Sequence, residues 1–331
     1  MNNLSALLKT TMENEIITHP RRKKRKPLDL KLRDVLIMVD IYVLTMLAIY
    51  TVLAIFVRHS PTLVLLNSVI ASGIIAIAVA GMVAQNPLFK IIRTFAIIPI
   101  TYLMYDQANS YIKSVNPYDC DRALIAMDKF IFGVNPTQWL AQFSHPLLTE
   151  YLQLAYMGFF LMFIAHAIEL YLSNEMTKFN RFARTIAFGF FVSYILYFFT
   201  PAVGPRFTLH DFSLLNQELP GVWLTAACRD LVNAGAGLPA GIKNPEFWVN
   251  RDCMPSGHTM MTLLNMILAY RLRSRLRWVF YILGVSLIFS TVYLRYHYVV
   301  DVLAGIGWAM VVLFVEPRIR VWVKKRGFKN V

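Results

Sequence analysis

Long apolar runs alternate with short polar, mostly basic stretches along the whole chain. Such runs suit helices that cross a lipid bilayer, because a crossing needs roughly 20 apolar residues and must satisfy its backbone groups internally. About eight are predicted, at 35–57, 62–84, 94–112, 151–172, 185–203, 256–270, 278–296 and 300–315. The sixth and eighth are short for a crossing. The expected fold is all-α, a polytopic membrane helix bundle occupying 35–317, between a basic segment at 1–34 and a basic tail at 318–331.

Two segments interrupt the pattern, 114–150 and 204–254. Within the first, 123–132 places apolar residues on one helical face and charges on the other. That suits a helix lying in the membrane interface, and it equally suits a cap packed on the bundle. The second carries His210, Asp211, Arg229, Asp230, Lys243, Trp248, Arg251 and Asp252 among Gly and Pro. Loops of that length in compact domains are functional or disordered, and a lid or acceptor pocket is the expectation here.

Charge orients the runs. Basic residues at 21–26, Lys90 and Arg93, Lys178, Arg181 and Arg184, Arg271 to Arg277, and Arg318 to Lys329 fall in alternate loops. The positive-inside rule makes those loops, and both termini, cytoplasmic. The ends carrying Arg206, His258, His297 and Asp301 then share the opposite face, toward a periplasm or lumen. The net charge of +14 sits largely on these loops, where insertion and anionic lipids account for it, so no nucleic-acid partner is expected. With 57% hydrophobic residues the chain reads as one membrane domain rather than two soluble ones. The polar N-terminal stretch has no apolar core of a cleavable signal, and no internal repeat is evident.

Cys120, Cys228 and Cys253 all fall on the outer side. An oxidising compartment would allow Cys228 and Cys253 to pair, a loop closure worth on the order of 3 kcal/mol. Free buried thiols are the simpler reading. No CxxC or HxxxH spacing points to zinc.

The candidate chemistry lies in Cys253-Met-Pro-Ser-Gly-His258 and in Leu294-Arg295-Tyr-His297-Tyr-Val-Val-Asp301. His297 and Asp301 are four apart, one helical face, where a carboxylate can hold an imidazole in one tautomer. Pro-Ser-Gly before an apolar run is a helix-start signal, which predicts that amides near Ser256 and Gly257 face an anion. The constellation suits phosphoryl transfer.

These residues resemble the type 2 phosphatidic acid phosphatase superfamily, whose second motif is PSGH and whose third is SRxxxxxHxxxD. The third motif keeps Ser290, His297 and Asp301; Thr291 stands at the arginine position, and Arg295 is expected one turn later on the same face. Of the first motif, KxxxxxxRP, Arg206 remains, while Phe199 and Phe207 replace the lysine and the proline. The phrase from Ser290 to Asp301, with the stretch from Asp128 to Trp139, is similar to the branch containing inositol phosphorylceramide synthases, so the likeness covers roughly 95 to 315. It implies a superfamily core at about 150–317. It further implies that His297, oriented by Asp301, attacks phosphorus, that His258 protonates the departing oxygen, and that Arg206, Arg295, Ser256 and Gly257 hold the phosphate. The implied partners are a lipid phosphate donor, a lipid alcohol or water as acceptor, and membrane lipids; no metal or other cofactor is implied. The non-enzymatic alternative is a lipid transporter or scaffold that kept the pocket. Outside the motifs, His166 near Glu169 reads as a packed polar residue, while Asp40 and Asp106 are carboxylates at membrane depth or boundary.

Overall fold

The computed structural model describes residues 31–84, 87–239 and 241–331. The basic run at 21–26 and most of the 1–34 segment lie outside them, as does the side chain of Lys90. Among the described residues the chain is helical and has no strand, as the apolar runs predict. Its longer helices are α1 (Met38–Phe56), α2 (Pro61–Ala84), α3 (Pro87–Phe95), α4 (Ile97–Val115), α5 (Asp121–Phe132), α6 (Pro146–Met157), α7 (Phe159–Leu172), α8 (Met176–Leu196), α9 (Thr225–Gly235), α10 (Gly257–Arg271), α11 (Arg277–Tyr293) and α12 (Val299–Lys325).

Each of the eight expected apolar segments is helical, but they are not alike. Among the described residues, α1, α2 and α12 are each long and apolar enough to cross a membrane, and α6 with α7 makes a fourth candidate bent by 48° at Gly158. α10 and α11, of 15 and 17 residues, are short for a crossing. Boundaries also differ. The third expected segment breaks at Ala96 into α3 and α4. The fifth stops at Leu196, because Pro201, Pro205 and a left-handed Gly204 (φ 97°) cannot continue a helix. The last runs through Pro317 to Lys325, well into the expected tail. There the buried Glu316 accepts from Arg184 of α8 (2.8 Å) and from Tyr42 of α1 (3.3 Å), tying this part of the helix into the bundle.

Two apolar cores share α8. One joins α7, α8, α10, α11 and α12 through Phe163, Phe182, Met261, Leu264, Phe280 and Val312. The other joins α1, α4 and α8 through Tyr42, Met46, Met104, Tyr111 and Phe191. α10 is enclosed by α8, α11 and α12. A Cβ on Gly305 of α12 would lie 2.7 Å from the Ser256 carbonyl oxygen, so glycine there lets the two helix starts touch.

α5 divides its charges: the carboxylates Asp121 and Asp128 are buried, while Arg122 and Lys129 are exposed together with Met127, Phe130 and Ile131. Asp121 accepts from the Val203 and Gly204 amides and the Tyr298 hydroxyl (3.0, 2.9 and 2.8 Å); Asp128 accepts from the Val299 and Val300 amides (2.9 and 2.8 Å). The helix therefore clamps the bundle with its carboxylates, as a cap packed on the bundle would, and exposes both apolar and basic side chains.

Candidate active site

The last turn of α11 sets the position of His297. The Thr291 carbonyl accepts from the Tyr296 and His297 amides, both at 2.9 Å, and Arg295 reverses the chain in the left-handed region with φ 68°. Tyr298 then caps α12, and Asp301, three residues on, returns its Oδ2 to the Tyr298 amide at 3.0 Å. His297 and Asp301 thus meet across a helix start rather than along one helical face. His297 Nδ1 lies 2.9 Å from the Cys253 carbonyl oxygen and 3.5 Å from Asp301 Oδ2. A carbonyl can only accept, so Nδ1 carries the proton and Nε2 keeps its lone pair. The Cys253 thiol donates to Asp301 Oδ2 at 2.9 Å; burial and the nearby Asp301 push the thiol up, which keeps it a protonated donor. Cys253 Sγ, His297 Nδ1 and Asp301 Oδ2 all lie within 4.8 Å of one another, the one group among the described residues with metal-ligand spacing. The three cysteines are free, in line with the simpler reading.

His258, the second residue of α10, brings its Nδ1 to 3.4 Å from His297 Nε2. Its ring sits between those of Tyr156 and Phe159, with centroids 4.6 Å away on each side. Gly257, the first helical residue, has one of the amides that no helix can satisfy internally. A side chain there would begin 2.3 Å from the Tyr197 hydroxyl. Ser256 departs from expectation: its amide donates to the Asp301 carbonyl (3.0 Å) and its hydroxyl accepts from the Thr259 amide (3.2 Å). It joins α10 to α12 and caps α10, so its amide is already taken.

The two arginines separate. Arg206, in the short turn Pro205–Thr208, is buried against the rings of Phe207 and Tyr296 at 4.6 and 5.0 Å and donates to Asn233 Oδ1 at 2.8 Å. Arg295 stands beyond the end of α11 and is ion-paired with Glu218. The expectation that it continues the helical face fails because the chain has already turned.

These groups open on a cavity of ≈ 510 Å³, lined mainly by apolar and aromatic side chains from α4, α6, α7, α8, α9 and α10. Arg206, Gly257, His258 and His297 are in its wall; Ser256, Arg295 and Asp301 are not. The cavity reaches Thr94 and Phe95 at the end of α3 and Phe179 in the first turn of α8. The 204–254 segment contributes Val232, Gly235, Ala236, Val249 and Asp252, so it forms part of the wall. Asp252 accepts from the Tyr105 hydroxyl at 2.5 Å. Sequence reading named Asp252 only as one loop charge among several and missed Tyr105, since the two lie 147 residues apart.

Two of the other candidates, Asp40 and His166, are packed and paired within the bundle. Asp40 is paired with Arg93 and accepts from the Ile37 amide (2.9 Å). His166 is buried against Asn265 (2.8 Å) between Phe182 and Phe280. Asp106 is exposed, outside the cavity wall.

The helical bundle thus brings together two facing histidines, a carboxylate and a buried arginine. A model of the PAP2 superfamily matches residues 122–315, more than half of the chain, and the chain belongs to that superfamily. Membership supports an enzyme acting on phosphate esters, of the phosphatase or phosphotransferase type, in an integral membrane protein. No curated protein and no solved structure matches the chain.

Proposed function

We propose that the chain is a membrane phosphotransferase that moves a phosphate-bearing group from a lipid donor to a lipid hydroxyl or to water through a phosphohistidine at His297. The observation that carries this reading is the pair of facing imidazoles at one end of a long apolar cavity that Arg206 also lines. His297 Nε2 attacks phosphorus and the bond to the departing lipid oxygen breaks; His258 gives that oxygen its proton. The acceptor oxygen then attacks phosphorus while its hydroxyl proton passes to His258, and the phosphorus–nitrogen bond breaks with its electron pair returning to Nε2. Charge growing on the equatorial oxygens is met by Arg206 and the Gly257 amide. A phosphoryl group seated on Nε2 requires the His258 ring to turn from its 3.4 Å contact, within the slot set by Tyr156 and Phe159.

An apolar channel of this size supports a lipid rather than a soluble phosphate, and the likeness to inositol phosphorylceramide synthases supports transfer to a lipid hydroxyl. The basic loops support a site facing the periplasm or lumen. Purified protein given lipid phosphates labelled at phosphorus, with and without a lipid alcohol, should form an acid-labile, base-stable label on His297 and pass it to the alcohol. Turnover without any labelled histidine would reject the covalent step. A cysteine introduced by Trp223→Cys, which is 82% exposed, should react with an impermeant thiol reagent from the outer side. Reaction only from the cytoplasmic side would reverse the topology.

A further inference from the structure

The cavity wall holds one cationic and one anionic side chain, Arg206 and Asp252. Arg206 suits the phosphate. Asp252 does not, because a carboxylate repels a phosphate dianion at close range. It also lacks the partner that usually keeps a carboxylate in an apolar setting: among the described residues no lysine or arginine forms an ion pair with it. Its neighbour Arg251 is spent on Asp119, at 3.1 Å.

Asp252 meets the aromatic part of the cavity wall through Tyr105. Tyr105 donates its hydroxyl to Oδ2 at 2.5 Å and receives the Asn250 amide at 3.1 Å. The Tyr194 ring lies 5.9 Å from that of Tyr105, and both line the cavity together with Tyr197, whose hydroxyl reaches Gly257 at the start of α10. A carboxylate bonded to one tyrosine, in a wall that two more tyrosines line, suits a cation held by charge and by ring faces.

We infer that Asp252, Tyr105, Tyr194 and Tyr197 form a subsite for a cationic ammonium head group, so that the donor is a zwitterionic phospholipid whose phosphate lies toward Arg206 and His297. This rests on the phosphotransferase reading for its chemistry but on the cavity charges for its specificity. A phosphate monoester would leave Asp252 uncompensated, and a polyol would engage the carboxylate without using the rings.

The test has a binding arm and a turnover arm. In the first, full-length protein in detergent is titrated with hexadecylphosphocholine and with hexadecyl phosphate, followed by calorimetry. The choline probe should bind about 10-fold tighter, the scale of a desolvated cation among rings. Asp252→Asn should erase that difference while leaving hexadecyl phosphate bound as well or better; Tyr105→Phe, which keeps the carboxylate and the ring, should erode it only in part. In the second, vesicles carry phosphatidylcholine, phosphatidylethanolamine, phosphatidylinositol or phosphatidic acid with the same acyl chains. The two ammonium donors should lead, with the Asp252→Asn loss falling on KM.

Equal binding of both probes, an equal loss of both in Asp252→Asn, or preference for the inositol lipid would overturn the subsite. Selective choline binding without turnover or phosphohistidine would reject the phosphotransferase reading and leave the subsite standing.

Discussion

His297 presents its Nδ1 to the Cys253 carbonyl oxygen at 2.9 Å, closer than to Asp301 at 3.5 Å. The carbonyl fixes the tautomer, which in the proposed reaction leaves the carboxylate to stabilise the positive charge that would grow on the ring as Nε2 attacks. Loss of the nucleophile and loss of that charge are separable. His297→Ala should abolish both turnover and the histidine label. Asp301→Asn retains an oxygen for the Tyr298 amide and the Cys253 thiol, so it should stay folded and lose roughly 100-fold in kcat, within the range measured when one electrostatic stabiliser is removed. A near-normal rate in His297→Ala would refute nucleophilic attack by this residue.

His258 is expected to act on the leaving group. His258→Ala should cost about 10²- to 10⁴-fold on an alkyl ester, the usual worth of a positioned acid. With an aryl ester, whose oxygen leaves without a proton, the loss should shrink. Comparing the two substrates decides it, because identical losses would place His258 in binding rather than in proton transfer.

Arg206 lines the cavity and Arg295 does not, so the two should respond differently to substitution. Arg206→Ala should lower kcat by about 10²- to 10³-fold, as removal of a donor to a developing oxyanion does. Arg295→Gly keeps the left-handed turn and loses the Glu218 pair. Its rate should fall less than 10-fold, on the order of what separates a positioning residue from a charge-stabilising one. A thermal shift should register its loss. The reverse ranking of rates would restore Arg295 as the phosphate clamp.

Much of this was legible in the chain and some was not, for physical reasons. The apolar runs announced helices, and Pro-Ser-Gly announced the start of α10, because both signals are local. The pairing of His297 with Asp301 was legible too, although the expected geometry was wrong: a four-residue spacing fits both a helical face and a helix cap. Arg295 was misplaced because helix ends depend on a left-handed residue, and glycine rather than arginine is the usual sign of one. The carboxylates of Asp121 and Asp128 were unreadable as clamps, since their partners at Gly204 and Val299 are 83 and 171 residues away. Tyr105 and Asp252 were hidden for the same reason.

His210 lies outside the bundle core, in the segment that walls the cavity, with Nε2 3.0 Å from the Thr137 hydroxyl. Burial, reinforced by the positive charge of Arg295 and only partly opposed by Glu218, pushes it down to about 4 from the usual 6.5. The folded protein therefore holds fewer protons here than the unfolded chain between those two values. By linkage, this histidine favours unfolding progressively as pH falls from about 6.5 to about 4, and has no further effect below. Limited proteolysis of the 204–254 segment should accordingly speed up across that window. In His210→Gln, which can still bond to Thr137 but cannot be protonated, this contribution should vanish and the pH profile should flatten. An unchanged profile in His210→Gln would assign the acid sensitivity to other groups.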